Sequence, residues 1–270
     1  MKRALILLML GGLASPAFAQ SIFPRSAMDG VELAQRIDSK IDLDLEFTDE
    51  NGETVTLRQY FDEGKPVVLT PVYYSCPMLC NLVLDGLVNV ARELRFDIGG
   101  DYEVVSVSFD DRETAPMASA KKEIYAKRYG RSEVEEGWHF LTGDKLAIRQ
   151  LMDSIGFGFA YDPALDQYAH AAVIVVLTPG GKIARYFYGF EYRPRDLRLA
   201  LVEASEGRVG TIVDQALLVC FSYDAANGRY TPAVMRGLQV AGSMTFLVLT
   251  GFVVTLIRKE RKNRDSNLAG

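Results

Sequence analysis

The chain has 270 residues, 24% of them charged, and a formal net charge of −5. Its one dense basic cluster, Arg258 to Arg264, lies at the far end, so the composition excludes a basic nucleic-acid footprint. About two hundred residues separate two apolar terminal segments, enough for one domain with a full hydrophobic core.

Met1 to Ala19 has a basic start at Lys2 and Arg3, an apolar run from Ala4 to Leu13, and Ala17-Phe18-Ala19 as a small-residue cleavage site. These are the parts of a secretory signal peptide, which is set aside from the fold. Residues 20–41 form a lead segment. Leu45-Glu46-Phe47 and Val55-Thr56-Leu57 flank the turn Asp49-Glu50-Asn51-Gly52 and predict a β-hairpin. Val67 to Tyr74 is continuous enough to be a buried central strand. Leu82, Leu84, Leu87, Val88, Val90, Ala91 and Leu94 then recur at helical spacing.

Tyr102 to Phe109 alternates and is rich in valine, as a strand is. Ala115 to Tyr129 reads as a helix, Trp138 to Leu141 as a short strand, and Asp144 as the cap of a helix reaching Ile155. Ala172 to Leu177 and Ile183 to Tyr188 predict two strands joined across Thr178-Pro179-Gly180-Gly181. Pro194 to Glu206 closes the domain, spanning 42–207, as a helix with proline near its start. A linker, 208–237, leads to Leu238–Ile257, an uncharged and largely apolar run of transmembrane length. Arg258, Lys259, Arg261, Lys262 and Arg264 follow it in the tail 258–270, so the positive-inside rule leaves the tail cytoplasmic and the domain outside. The expected location is therefore a single-pass inner-membrane protein with its main domain in the periplasm.

The chemistry centres on Cys76-Pro77-Met78-Leu79-Cys80, where the buried strand gives way to a helix. Thiols at i and i+4 in a helix share one face, with Cβ atoms roughly 5–6 Å apart. That spacing suits two thiolates on one soft metal ion, and it also permits a disulfide. A helix N-terminus beside the thiols favours the ligating thiolate. The chain holds three cysteines and two histidines; of the histidines, His170 lies in a loop before an apolar strand, and His139 sits within a short strand as a structural residue. Two thiolates and an imidazole accept both Cu(I) and Cu(II), whereas zinc prefers a fourth ligand and two cysteines poorly support an iron–sulfur cluster.

Strand, helix, strand, helix, hairpin, helix is the order of a thioredoxin-like α/β fold, which keeps its chemistry at the end of the first core strand. With Cys76-Pro77-x-x-Cys80, the strand ending Val107-Ser108-Phe109-Asp110, His170 before Val173 to Leu177, and Pro179-x-Gly181, the chain resembles the Sco/SenC family from about Leu43 to Glu206. That resemblance implies a membrane-anchored, thioredoxin-like copper protein with Cys76, Cys80 and His170 as ligands. It also implies a copper-bearing subunit of cytochrome c oxidase, or another copper protein, as partner. A thiol–disulfide reductase role for Cys76 and Cys80 is attributed to the same family. One departure concerns the residue before the histidine, acidic in many members and Ala169 here, which bears on how the imidazole is tuned.

The alternative to a copper chaperone is an oxidoreductase acting on a partner's cysteines. Such enzymes generally use Cys-x-x-Cys and a cis-proline where this chain has Ala169-His170-Ala171, which favours copper. A peroxidase using Cys76 ranks last, since no arginine–threonine activating set accompanies it. Tyr73, Tyr74, Tyr161 and Tyr168 are expected to wall the site, and Asp110-Asp111 is a candidate for orienting one of its residues. Met78 is read as a packing residue or a thioether neighbour. Cys220, in an aromatic juxtamembrane stretch, is left unassigned.

Overall fold

A computed structural model of the chain describes residues 31–61, 63–209, 223–224, 229–230, 242–246 and 249–253. The signal peptide, Cys220 and the basic tail lie outside them. The first strands, β1 (Glu46–Thr48) and β2 (Thr54–Thr56), form the expected antiparallel hairpin, with Phe47 opposite Val55. A 3₁₀ turn, Leu57–Tyr60, takes in the leucine that the sequence pattern had put in the second strand.

The central sheet has five strands in the order β5-β4-β3-β8-β9. They are β3 (Val67–Val72), β4 (Glu103–Ser108), β5 (Trp138–Leu141), β8 (Val173–Leu177) and β9 (Ile183–Tyr188). β3, β4 and β5 run parallel, while β8 is antiparallel to both β3 and β9. Every residue of β4 is buried, so its valine alternation does not mark a wet face. With β3 and β5 on its two sides and cover on both faces, it is an interior strand of a largely parallel core. Thr70 Oγ1 donates to Ser106 Oγ at 2.7 Å, and Trp138 Nε1 donates to the same oxygen at 2.9 Å, which satisfies these three polar side chains inside the sheet.

Five helices complete the domain. They are α1 (Leu79–Glu93), α2 (Ala115–Tyr129), the single turn α3 (Val134–Gly137), α4 (Lys145–Ser154) and α5 (Pro194–Ser205). Helix α1 buries Cys80, Val83, Leu84, Leu87, Val88, Val90 and Ala91, the stripe that periodicity marks, but Leu82 falls outside it and is exposed. It packs against α2, which lies over β5, and against α5, which lies over β8 and β9. Asp144 caps α4 as expected, accepting from the Leu146 and Ala147 amides. α2 ends on Gly130 in the left-handed conformation.

One feature of the sheet opens the site. β3 pairs with β8 only through Val67, Val68 and Leu69, although its pairing with β4 runs on to Val72. Pro71 has no N–H to offer β8, so the ladder lapses there. Continuing the register would set Ala171 opposite Tyr73. The chain instead folds back as a second hairpin, β6 (Phe159–Asp162) with β7 (Gln167–His170), which periodicity did not reveal. His170 is therefore the last residue of a strand, not a loop residue, paired with Phe159.

Residues 31–41 run along the domain through bridges from Leu33 to Phe157 and from Lys40 to Lys182. Gly156 adopts φ +66°, and a Cβ there would lie 1.8 Å from the Ala34 carbonyl oxygen. Gly156→Ala is expected to cost about 2–4 kcal/mol, from left-handed strain plus a backbone clash. Chemical denaturation checks it; a change below about 0.5 kcal/mol would mean that this segment peels away freely.

The pair β10 (Tyr223–Asp224) and β11 (Arg229–Tyr230) lies in the expected linker. Residues 242–246 and 249–253, inside the expected span Leu238–Ile257, are helical. Among the described residues, no helix is long and apolar enough to cross a membrane.

Candidate metal centre

The site forms where β3 ends and α1 begins. Beyond Val72 the chain turns, with the Cys76 amide donating to the Tyr73 carbonyl at 3.3 Å. Helix α1 takes Met78 as its N-cap, whose side chain accepts no capping bond. Cys76 Sγ fills that role, accepting from the Cys80 amide at 3.4 Å, while Cys80 Sγ accepts from the Tyr73 amide at 3.3 Å. Cys76 Sγ thus faces a main-chain donor at a helix N-terminus, where negative charge on sulfur is favoured, while the donor to Cys80 Sγ lies just past the end of β3.

Both thiols are free and buried. His170 reaches them from β7, with Nε2 3.4 Å from Cys80 Sγ. One donor atom from each of Cys76, Cys80 and His170 lies within 4.8 Å of the others. A first-row metal bound at about 2.0–2.3 Å by three such donors separates them by roughly 3.5–4 Å, so the group is close to what an ion would draw together. The imidazole Nδ1 lies 2.9 Å from the Ala171 carbonyl oxygen. Donating its proton there fixes the tautomer and leaves the Nε2 lone pair facing the sulfurs. A main-chain carbonyl thus orients the imidazole, with Ala169 beside it offering no carboxylate. Thiolate, thiolate and neutral imidazole suit Cu(I) and tolerate Cu(II).

The two thiols are unequal. A hydrogen bond from Cys80 lowers the Cys76 pKa, helped by the Cys80 amide and the Tyr73 hydroxyl, against the opposing effect of burial. Burial pushes Cys80 well up, and the Cys76 sulfur beside it adds to the rise. Near neutral pH the pair therefore holds one proton, centred on Cys80. A metal that binds both sulfurs must displace it. Cu(I) uptake is expected to release about one proton, with apparent affinity rising about tenfold per pH unit between pH 6 and 8. Affinity titrations across that range check this; a flat profile would mean that Cys80 is not a ligand or not protonated.

Aromatic rings close around the imidazole. Tyr73, Phe109 and Phe157 lie 5.9, 5.0 and 6.0 Å from it, centroid to centroid. Tyr168 packs on Tyr73 and Phe109, and its hydroxyl donates to Asp110 Oδ1 at 3.2 Å. Asp110 is buried, which alone would raise its pKa, yet Arg112 pairs with both its oxygens and holds it below the usual value. Of the expected walls, Tyr73 and Tyr168 stand at the site. Tyr74 does not: its hydroxyl donates to the Ser106 and Leu141 carbonyls inside the sheet. Tyr161 is exposed, bound to Asp166 and stacked under Arg112. Asp110 orients Tyr168, and Asp111 is exposed. His139 lies on β5 against Tyr60 and Glu103 as a packing residue. Met78 is 68% exposed, so it is not packed as its helical position had implied.

Glu113, Asn81 and Lys121 escaped the sequence reading. Glu113 accepts from the Tyr74 and Ser75 amides, Asn81 Nδ2 donates to the Cys76 carbonyl at 3.0 Å, and Lys121 Nζ donates to Asn81 Oδ1 at 2.9 Å. The available signal was topological: Glu113 follows the strand parallel to β3, at the same end of the sheet as the thiols.

A model of the SCO1/SenC family matches residues 34–204. Two solved proteins of Aquifex aeolicus VF5, proposed to act in electron transfer and electron transport, are similar in structure. The first is 25% identical, with a TM-score of 0.57, covering 64% of this chain and 96% of that one. The second is 26% identical, with a TM-score of 0.52, covering 64% of this chain and 100% of that one. Arabidopsis thaliana ScoI, solved with copper bound, is 19% identical with a TM-score of 0.49, covering 64% of this chain and 99% of that one. No match was found among the curated proteins. A family match over more than half of the chain, spanning the thioredoxin-like domain and both thiols, makes this protein a member of the SCO1/SenC family.

Proposed function

We propose that the protein is a copper chaperone, anchored in the inner membrane with its domain in the periplasm, that assists assembly of the copper centre of cytochrome c oxidase. Cys76, Cys80 and His170 bind the copper as cargo. The observation that carries this reading is the convergence of two free thiols and the His170 Nε2 from a separate hairpin. Family membership supports it, through the copper role that the resemblance implies. Three donors leave room for a recipient's ligand, so copper can pass between proteins without an intermediate free ion. The recipient is a copper-bearing oxidase subunit or another copper protein.

The anchor rests on the uncharged run Leu238–Ile257 and the basic residues after it. The described helical part of that run exposes Met244, Phe246, Leu249, Phe252 and Val253, an apolar surface suited to lipid. Met1 to Ala19 supplies the export signal.

The test is anaerobic titration of the reduced full-length protein in detergent with Cu(I), then Cu(II). Competition by a chelator and electron paramagnetic resonance would follow the binding. One tight copper per chain with a thiolate-to-Cu(II) charge-transfer band is the expected result. A second reading, thiol–disulfide reduction of a partner, draws on the unequal pKa values of the two free thiols. Absent copper binding, with rapid reduction of a partner disulfide, would favour it.

A further inference from the structure

Glu113 sits in the loop between β4 and α2 and is 7% exposed. Its Oε2 accepts from the Tyr74 amide and the Ser108 hydroxyl, each at 2.6 Å, and its Oε1 accepts from the Ser75 amide at 2.6 Å. A buried carboxylate needs such donors. Two of them are consecutive main-chain amides immediately before Cys76, beyond the last paired residue of β3, where no strand receives them. One side chain bridging both amides fixes the peptide planes that lead into the thiol loop. On the far side, the Asn81 amide holds the Cys76 carbonyl. His170 arrives on an independent hairpin, so its separation from the thiols depends on where that loop is held.

The geometry points to Glu113 as a positioning residue of the metal centre: by carrying the Tyr74 and Ser75 amides, it sets the spacing of the Cys76 sulfur from Cys80 and His170. This rests on the copper reading above. Glu113 itself bonds to none of the three donor atoms. Cu(I) accepts soft donors over a wide range of angles, whereas Cu(II) is stringent about geometry, so a loosened loop penalises Cu(II) more. Glu113→Gln preserves size but exchanges one acceptor for an NH2 donor aimed at main-chain donors.

The test compares wild type, Glu113→Gln and Glu50→Gln in the full-length protein. Glu50 is a comparably buried carboxylate, bonded to Lys122 and to the Phe140 amide, that ties the β1–β2 turn to β5. Hydrogen–deuterium exchange of residues 74–80 is measured without metal. Cu(I) and Cu(II) affinities, the charge-transfer band and the Cu(II) hyperfine splitting follow. Glu113→Gln is expected to speed exchange across 74–80, weaken Cu(II) at least tenfold and Cu(I) less, and shift both spectra. Glu50→Gln is expected to lower the melting temperature with wild-type spectra. Wild-type exchange or wild-type copper parameters in Glu113→Gln would overturn the assignment, as would equal spectral shifts in Glu50→Gln. If Glu113→Gln does not fold, Ser108→Ala removes one of the three donors and is expected to give a smaller shift in the same sense. Unchanged spectra there would overturn it too. Failure of wild type to bind copper would refute the copper reading alone, since the metal-free exchange still reports whether Glu113 holds the loop.

Discussion

Cys80→Ser is expected to weaken Cu(I) binding on the order of a thousandfold, roughly 4 kcal/mol, while leaving the domain folded. The sulfur is almost completely buried and its one main-chain partner is the Tyr73 amide. A serine oxygen occupies nearly the same place and accepts that bond, so the fold loses little. The metal, however, loses one of two thiolates and gains a hard oxygen donor that Cu(I) does not favour. Cys76→Ser is expected to act similarly on copper. It also takes a sulfur acceptor from the Cys80 amide at the start of α1. Chelator competition on the reduced proteins checks both variants. A loss below about tenfold in either would mean that the ion is not held between the two sulfurs.

His170→Ala separates the two copper states. Two thiolates alone make an acceptable Cu(I) site, but Cu(II) has a stronger need for the imidazole nitrogen. Cu(II) affinity is expected to fall about a hundredfold or more, about 2.8 kcal/mol, and Cu(I) affinity about tenfold or less. Reduction of the Cys76–Cys80 pair, if it is oxidised first, should proceed at nearly the wild-type rate. The opposite pattern, intact Cu(II) binding with altered dithiol chemistry, would favour the oxidoreductase reading. The ring touches Tyr73, Phe109 and Phe157, so its removal leaves a small space in an aromatic cluster. The His170 Nδ1 partner, the Ala171 carbonyl, lies at the opened edge of the sheet, where β8 has not yet begun.

Most of the architecture was legible because its signals are local. Asp144 caps a helix by its own side chain, Pro194 stands at a helix start, and the valine-rich runs of β3, β4 and β8 are buried. Cys76 and Cys80 were legible through their i, i+4 spacing beside an apolar strand. The hairpin carrying His170 was not. Its strands are four residues each and mostly half-exposed, with no run of apolar alternation to mark them. What places it is Pro71 on the neighbouring strand, which ends the β3–β8 ladder. Glu113 was hidden for a related reason. A single carboxylate after a strand is ordinarily a solvated loop acid, and only the parallel pairing of β3 with β4 brings it under Tyr74 and Ser75. Tyr74 misled in the other direction: its neighbour Tyr73 packs at His170, while the Tyr74 hydroxyl runs to the Ser106 and Leu141 carbonyls inside the sheet. Met78, in the same motif, has a helical position but sits at the N-cap, before the first turn can bury it.

The central claim is that one copper ion sits between two sulfurs and one imidazole. X-ray absorption at the copper edge of the Cu(I)-loaded full-length protein tests it most directly, with the same spectrum taken on His170→Ala. Two sulfur neighbours and one nitrogen in wild type, with the nitrogen lost in the variant, is the result expected. A shell of nitrogen and oxygen alone, or a nitrogen that survives His170→Ala, would contradict it.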